Sequence, residues 1–435
     1  MTPADLATGL AAAAAVVAAF VAAAVLVRPV ARRSGLGWGH PGWAWLLLAA
    51  VFLGVGSTAI ALTGEALGPA FYVAAAVSAF GIGLRASDRL ARRRGGVGSR
   101  YLFGTGPPAA GTRGPMSIVL AAVAILAIAP TLVAHGIPFL ATDITGARSE
   151  LVGLPVQLIR VALPGLAAVC LFDGLRTTDR NRRLVDGGAI LAIGAFMVLL
   201  ASRYLLAELA AVLVLAWLLA GRRIPVRLTI VLAALAIVGF AGIQVLRAYD
   251  QAAGNELGFA VGRTVNRIVL VQPRTLAALQ QVIPAEEPYF LGLTWLHRLG
   301  PLVGRGDIPN LGYWIYPQVV EGAQDTAGYA APGLIGEAWA NFGPLGLLLF
   351  LILGALAERL GALLSYRRLT AADIAAGAMA SLFLARTHAL GLGGVAILIV
   401  LVLAWRLLAG PPAGLLGAVR QVAVWRPVAS PAERP

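Results

Sequence analysis

Lysine is absent from this chain of 435 residues: all 34 basic side chains are arginine. Charge of any kind is scarce, at 12% of residues, against about a quarter in soluble domains. A soluble enzyme is excluded on that ground. The single cysteine, Cys170, lies inside an apolar run, so neither a disulfide framework nor a thiolate metal site can be built. HExxH, CxxC, GxxxxGK[ST] and the aspartate-rich pair that holds divalent metal in many glycosyltransferases are missing too. The expectation is chemistry without metal or other cofactor.

What is present is apolar: 59% of residues are hydrophobic, and the mean hydropathy is +0.83. Abundant alanine, glycine and proline beside all-arginine basicity reads as the base-composition bias of a GC-rich bacterial genome. Apolar runs cover approximately 6–27, 43–64, 67–84, 116–136, 153–175, 187–202, 204–220, 228–246, 335–357, 370–388 and 391–409. Several of them reach the roughly 20 residues that a helix needs to cross a hydrocarbon core of about 30 Å. The first lacks a basic leader and is longer than a signal-peptide core, and reads as a membrane helix. The sequence therefore predicts an all-α integral membrane protein of about eleven transmembrane helices.

The formal charge of +14 would point to nucleic acid in a soluble chain, but here topology accounts for it. Arginines crowd the connections after odd-numbered runs: Arg28, Arg32 and Arg33 after the first, Arg85 to Arg113 after the third, and Arg176 to Arg183 after the fifth. Arg222, Arg223, Arg227, Arg359, Arg367, Arg368, Arg420 and Arg426 continue the pattern. Cytoplasmic loops keep their positive charge, so the amino terminus is expected outside and the carboxyl terminus inside. The first eight helices then occupy 1–246, a large extracytoplasmic loop 247–331, the last three helices 332–409 and a cytoplasmic tail 410–435. In the loop, Arg263, Arg267 and Arg274 would share a helical face if Pro273 begins a second helix after a bend, and Pro284–Pro288 marks a turn.

A few charged residues sit on the outer side, where the positive-inside rule gives no reason for them. Arg148 follows the fourth helix, Arg203 opens the seventh, Arg386 closes the tenth, and Arg160 lies about two turns into the fifth. An intramembrane arginine costs at least about 2.5 kcal/mol and normally finds a partner. Glu208, in the seventh helix, is the candidate for Arg160 or Arg203. Arginines converging on one cavity would suit a phosphate or pyrophosphate, because guanidinium binds its oxygens bidentately. Glu337, in Gly333–Gly346, enters the membrane on the same side and would serve as general base or as an arginine's counter-ion. His297 is the only histidine well inside the long loop.

Three stretches resemble the oligosaccharide repeat unit polymerases, the O-antigen polymerase family of bacterial polysaccharide synthesis. They are HGIPFLATDITGARSELVGLP from His135 to Pro155, ASRYLLAELA from Ala201 to Ala210, and GYAAPGLIGEAWANFGPLG from Gly328 to Gly346. The resemblance implies a GT-C-like, multi-pass glycosyltransferase of the bacterial cytoplasmic membrane, acting on oligosaccharides carried by undecaprenyl diphosphate. A flippase and a chain-length regulator would be its partners, beside membrane lipid, with no nucleic acid. Carried onto this chain, Arg148 and Arg203 would bind the leaving diphosphate, with Arg160, Arg263, Arg267, Arg298 and Arg386 as further candidates. Glu337 would activate the acceptor, with Asp325 and His297 behind it. Displacement by a single nucleophile would invert the anomeric configuration. Three alternatives stand beside this reading: an O-antigen ligase-like transferase; a transporter or flippase of an anionic substrate, for which an inverted hydropathy repeat is missing; and a lipid-linked sugar transferase of the arabinosyl or mannosyl type, for which the loop Asp143 to Glu150 lacks the expected adjacent acidic pair.

Overall fold

The computed structural model describes residues 2–93, 115–141, 151, 153–222, 262, 266–296, 310–319, 329–365 and 370–409. Helix α1 (Pro3–Arg33) begins with a capping box, Thr2 and Asp5 each satisfying the other's backbone N–H, and ends on Arg32 and Arg33. Helix α2 (Pro41–Ala49) starts at His40, whose Nδ1 accepts from Gly42 N at 3.0 Å. Through a π-helical turn, Ala50–Gly54, it passes into α3 (Val55–Leu62). Then follow α4 (Gly68–Arg93), α5 (Pro115–His135), α6 (Leu154–Arg176), α7 (Arg180–Leu199) and α8 (Arg203–Leu219). The rest is α9 (Val271–Val282), α10 (Gly333–Phe342), α11 (Leu347–Leu364), α12 (Ala371–Ala385) and α13 (Thr387–Ala409), joined by short helical turns. Every regular element among the described residues is helical.

Six helical stretches are long and apolar enough to cross a membrane: Ala4–Arg33, Pro41–Leu62, Gly68–Arg93, Met116–Leu140, Leu154–Arg176 and Gly333–Leu364. Tyr204–Leu219, Ala371–Ala385 and Gly394–Leu408 are apolar but shorter. The chain is thus an all-helical, multi-pass membrane protein. The run expected at 228–246 lies outside the described residues. Three other runs change shape. The run read as 187–202 starts earlier, at Arg180, because Asp179 caps the polar first turn by accepting from Asn181 N at 2.9 Å. The run 335–357 is split into α10 and α11 by Gly343, whose φ of +55° no helical residue adopts. The runs 370–388 and 391–409 meet at an elbow on Arg386 rather than at a loop.

Two apolar cores share α12 and its neighbours. One is built around α1, α2, α4 and α11, with Trp45 stacked on Phe80 at 3.8 Å between centroids; the other joins α5 to α8 with α12 and α13. Lipid tails give helices no hydrophobic reason to associate, so small residues and close backbone approach must hold the bundle. α12 is buried on nearly every side and consists largely of alanine. Helix α4 is clasped as closely: a Cβ on Gly83 would stand 2.0 Å from the Leu351 carbonyl oxygen of α11, and one on Gly354 the same distance from the Phe80 oxygen. Backbone cannot yield as a side chain can. Gly83→Ala and Gly354→Ala should each cost about 1–3 kcal/mol, read as an earlier thermal transition in micelles; unchanged melting of both would refute this account of α4–α11 packing.

α1, α4 and α11 run in the same direction, so their C-terminal ends meet at one end of the bundle, where Arg33, Arg85, Arg92 and Arg359 contact Asp88 or Glu358. Arg406 of α13 pairs there with the fully buried Asp373 at the start of α12. At the opposite end, Glu65 accepts two bonds from Arg274, each 3.1 Å. Arg274 holds the Glu65 carboxyl below the usual range, its hydrogen bonds outweighing the modest burial. Arg274 sits in α9, which carries Pro273 within its first turn after a π-helical turn at Asn266–Leu270. A helix does begin around that proline as expected, but Arg274 is tied to the α3–α4 connection. Ile283–Glu286 form the expected turn. The described parts of the long segment bury Leu279, Ile283, Leu311 and Ile315 against Ala340 of α10.

Candidate functional site

Three of the charged residues expected within the membrane, Arg160, Glu208 and Arg386, form one group. Arg160 lies six residues, or about 9 Å, from the start of α6, and Glu208 lies five residues, or about 7 Å, from the start of α8. Arg386 caps the C-terminal end of α12, which at 15 residues is about 22 Å long and shorter than the hydrocarbon core. Its side chain thereby stays within the bundle, level with the other two. Arg160 Nε donates to both Glu208 oxygens, at 3.1 and 3.0 Å, and its Nη2 donates to Oε1 as well. Arg386 Nη1 contacts that same Oε1 from the other side.

Glu208 is 2% exposed, Arg160 12% and Arg386 11%. Among the described residues two cations therefore share one carboxylate in a desolvated place. Gln157, one turn before Arg160, accepts from its Nη1 at 3.0 Å and fixes the guanidinium plane. Tyr204, one turn before Glu208, presents its ring to Arg386 with 6.0 Å between guanidinium carbon and centroid, near the limit of a cation–π contact. Sequence reading offered Glu208 as the partner of Arg160 or Arg203, did not pair it with Arg386, and passed over Gln157 and Tyr204. Their spacing of three and four residues from the charged groups was the available signal.

Helix α10 leans on the same elbow. Gly333, its first residue, has φ +55°, and a Cβ there would stand 1.8 Å from the carbonyl oxygen of His388, two residues beyond Arg386. Only glycine permits that approach. Glu337 follows one turn later and is half-buried. Its helix is fastened at the far end by Asn341, fully buried, which accepts from Gly292 N at 2.7 Å. The Asn341 amide donates to Thr294 Oγ1 at 2.6 Å and to the Glu337 carbonyl at 2.8 Å. The Asn-Phe-Gly run is thus a clamp between α10 and the 289–296 segment.

Of the residues singled out in sequence, the structure brings Arg160 and Arg386 together on Glu208 and places the helix of Glu337 against the elbow that carries Arg386. Arg203 is the first residue of α8 and Arg267 lies in the π-helical turn before α9, but their side chains are outside the described residues. Arg148, Arg263, His297, Arg298 and Asp325 fall outside them altogether. Among the described residues no group of three or more His, Cys, Asp or Glu side chains could hold a metal ion.

A desolvated guanidinium attracts an anion, and phosphate oxygens match its paired N–H edges. Glu208, engaged by both arginines, serves as their counter-ion. No family model matches the chain, no curated protein does, and no solved structure does.

Proposed function

We propose that this protein is a membrane glycosyltransferase that joins undecaprenyl-diphosphate-linked oligosaccharide repeat units into surface polysaccharide. It would act in the bacterial cytoplasmic membrane, on the outer face, with the arginine-rich end of the bundle inside. The observation that carries the reading is the sharing of Glu208 by Arg160 and Arg386 at the end of the bundle opposite the arginine-rich one. Retention of arginine in apolar surroundings suits a ligand with concentrated negative charge, and a lipid carrier's diphosphate lies at that depth. The resemblance of His135–Pro155, Ala201–Ala210 and Gly328–Gly346 to the repeat unit polymerases supports the same substrate class.

In the proposed reaction the bond between the anomeric carbon of the donor glycan and its diphosphate oxygen breaks. The terminal hydroxyl of a second lipid-linked repeat unit supplies the oxygen of the new glycosidic bond, and its proton passes to Glu337. Arg160 and Arg386 stabilise the charge that grows on the departing diphosphate, and Arg148 and Arg203 are assigned the same role in this scheme. Attack by one nucleophile inverts the anomeric centre.

Deleting the gene should leave surface polysaccharide at single repeat units, and the wild-type gene should restore long polymer. Genes carrying Arg386→Gln or Glu337→Gln should restore polymerisation at least about 100-fold less well, with protein levels in the membrane matched by immunoblot. Long polymer from both variants would overturn the reading. Polymer that reaches full length but is not attached to its final acceptor would identify a ligase instead. A reporter fused at Asn310 should be active outside the cytoplasm, and cytoplasmic activity would invert the orientation.

A further inference from the structure

At the arginine-rich end, guanidiniums from two helices converge on one carboxylate oxygen. Asp88, in the last turns of α4 and 3% exposed, has its Oδ2 2.6 Å from Arg33 Nη2, 2.9 Å from Arg85 Nη1 and 3.0 Å from Arg92 Nη2. Among the described residues three guanidiniums meet this one carboxylate oxygen, so positive charge is in excess at the point of contact. Each guanidinium carries five N–H donors, and the described bonds to Asp88 use four in all, one of them from Arg92 Nε to the backbone carbonyl. Arg33 Nε is buried without a partner among the described residues. The three side chains are 34%, 22% and 40% exposed, so each remains partly accessible.

The positive-inside rule explains why arginines lie at this end but not why they are drawn together. Like charges repel, and gathering three of them on a buried carboxylate fixes their positions before any ligand arrives. What they can still bind is an anion with several oxygens. The helices that carry them say where it comes from. Val21 and Val25 of α1 and Ile82 of α4 are 58%, 64% and 54% exposed, one to three turns before the arginines on the same helices. Ile352 and Leu356 of the adjoining α11 are 56% and 52% exposed in the turns before Arg359. Apolar stripes that end in phosphate-binding groups fit acyl chains below a phosphate headgroup.

We propose that Arg33, Arg85 and Arg92, organised by Asp88, form a binding site for the phosphate of an anionic phospholipid. The proposal is independent of the glycosyltransferase reading, since it concerns the other end of the bundle. The test is native mass spectrometry of the full chain in detergent, with phosphatidylglycerol, phosphatidylcholine or inorganic phosphate added. Wild type should retain phosphatidylglycerol in preference to phosphatidylcholine. Arg33→Gln with Arg92→Gln should weaken that retention by about 30-fold, while Arg182→Gln, an arginine of the same end outside the cluster, should change it little. Should the double variant not elute as a monodisperse species, Arg92→Gln alone should show about a 5-fold loss. Equal retention by wild type and the arginine variants, an equal loss in Arg182→Gln, or no preference between the two lipids would overturn the site. Saturable binding of inorganic phosphate that displaces the lipid would assign the cluster to a free anion and overturn the lipid.

Discussion

Replacing Glu208 with alanine should be among the most damaging single changes in the protein, costing about 3–5 kcal/mol of stability. The reason lies in what is left behind. Arg160 and Arg386 approach Glu208 from α6 and from the α12–α13 elbow, each little more than a tenth exposed. Without the carboxylate they face one another across a desolvated gap. Glu208→Ala with Arg386→Ala should therefore lose less than the sum of the two single losses, because the second change removes a charge that the first had stranded. Thermal unfolding of the four proteins in one detergent measures this directly, and additive losses would show that the group is not a unit. Pyrophosphate adds a second readout: in Glu208→Ala it can replace the missing anion, and at 100 times its dissociation constant it should return about 2.7 kcal/mol. A melting temperature of that variant indifferent to pyrophosphate would count against a diphosphate site here.

Hydropathy made much of this molecule readable, and the limits of that reading have a physical cause. Long apolar stretches announce spans because the bilayer excludes unpaired backbone groups and demands helices of a minimum length. Leu154–Arg176 could be drawn almost as it stands from the run 153–175, whereas Ala4–Arg33 and Gly68–Arg93 begin where the runs 6–27 and 67–84 do but continue past them through their arginine-bearing last turns. Depth is readable as well, since counting along a helix places Arg160 and Glu208 below its end. Azimuth and neighbourhood are not. Nothing local to Arg386 says that it meets Glu208, since that contact depends on which helices adjoin, a matter of packing among small residues such as Gly83, Gly354 and Gly377. The break at Gly343 was not legible: 335–357 reads as one apolar run, and the positive φ of Gly343, with the clamp that Asn341 makes to Gly292 and Thr294, required the fold. The elbow at Arg386 was hidden because no proline or glycine lies within four residues of it, so the run appeared to continue to residue 388. Asp88 was concealed for the opposite reason: its arginines already had a topological explanation.

The second large effect is expected at the other end of α12, where Asp373 and Arg406 form a buried pair, 0% and 5% exposed. Asp373 also accepts from Thr370 N at 2.8 Å and from its hydroxyl at 2.9 Å, closing the capping box that starts the helix. Asp373→Asn should cost about 3–5 kcal/mol, most of it from leaving the Arg406 guanidinium without an anion in a place it cannot leave. The paired replacement Asp373→Leu with Arg406→Met, of similar volume, should instead be neutral or stabilising by about 1–4 kcal/mol. Denaturant melts of both proteins test the pair, and a loss in the double variant as large as in Asp373→Asn would mean that α12 depends on the charges themselves. Applied to Glu208 and its two arginines, an apolar replacement set should also preserve folding, yet under the proposed function it should abolish polymer formation. Apolar substitution thus separates the two buried groups: at Asp373 and Arg406 polarity can be removed with function intact, whereas at Arg160, Glu208 and Arg386 a folded protein without activity is the expected result.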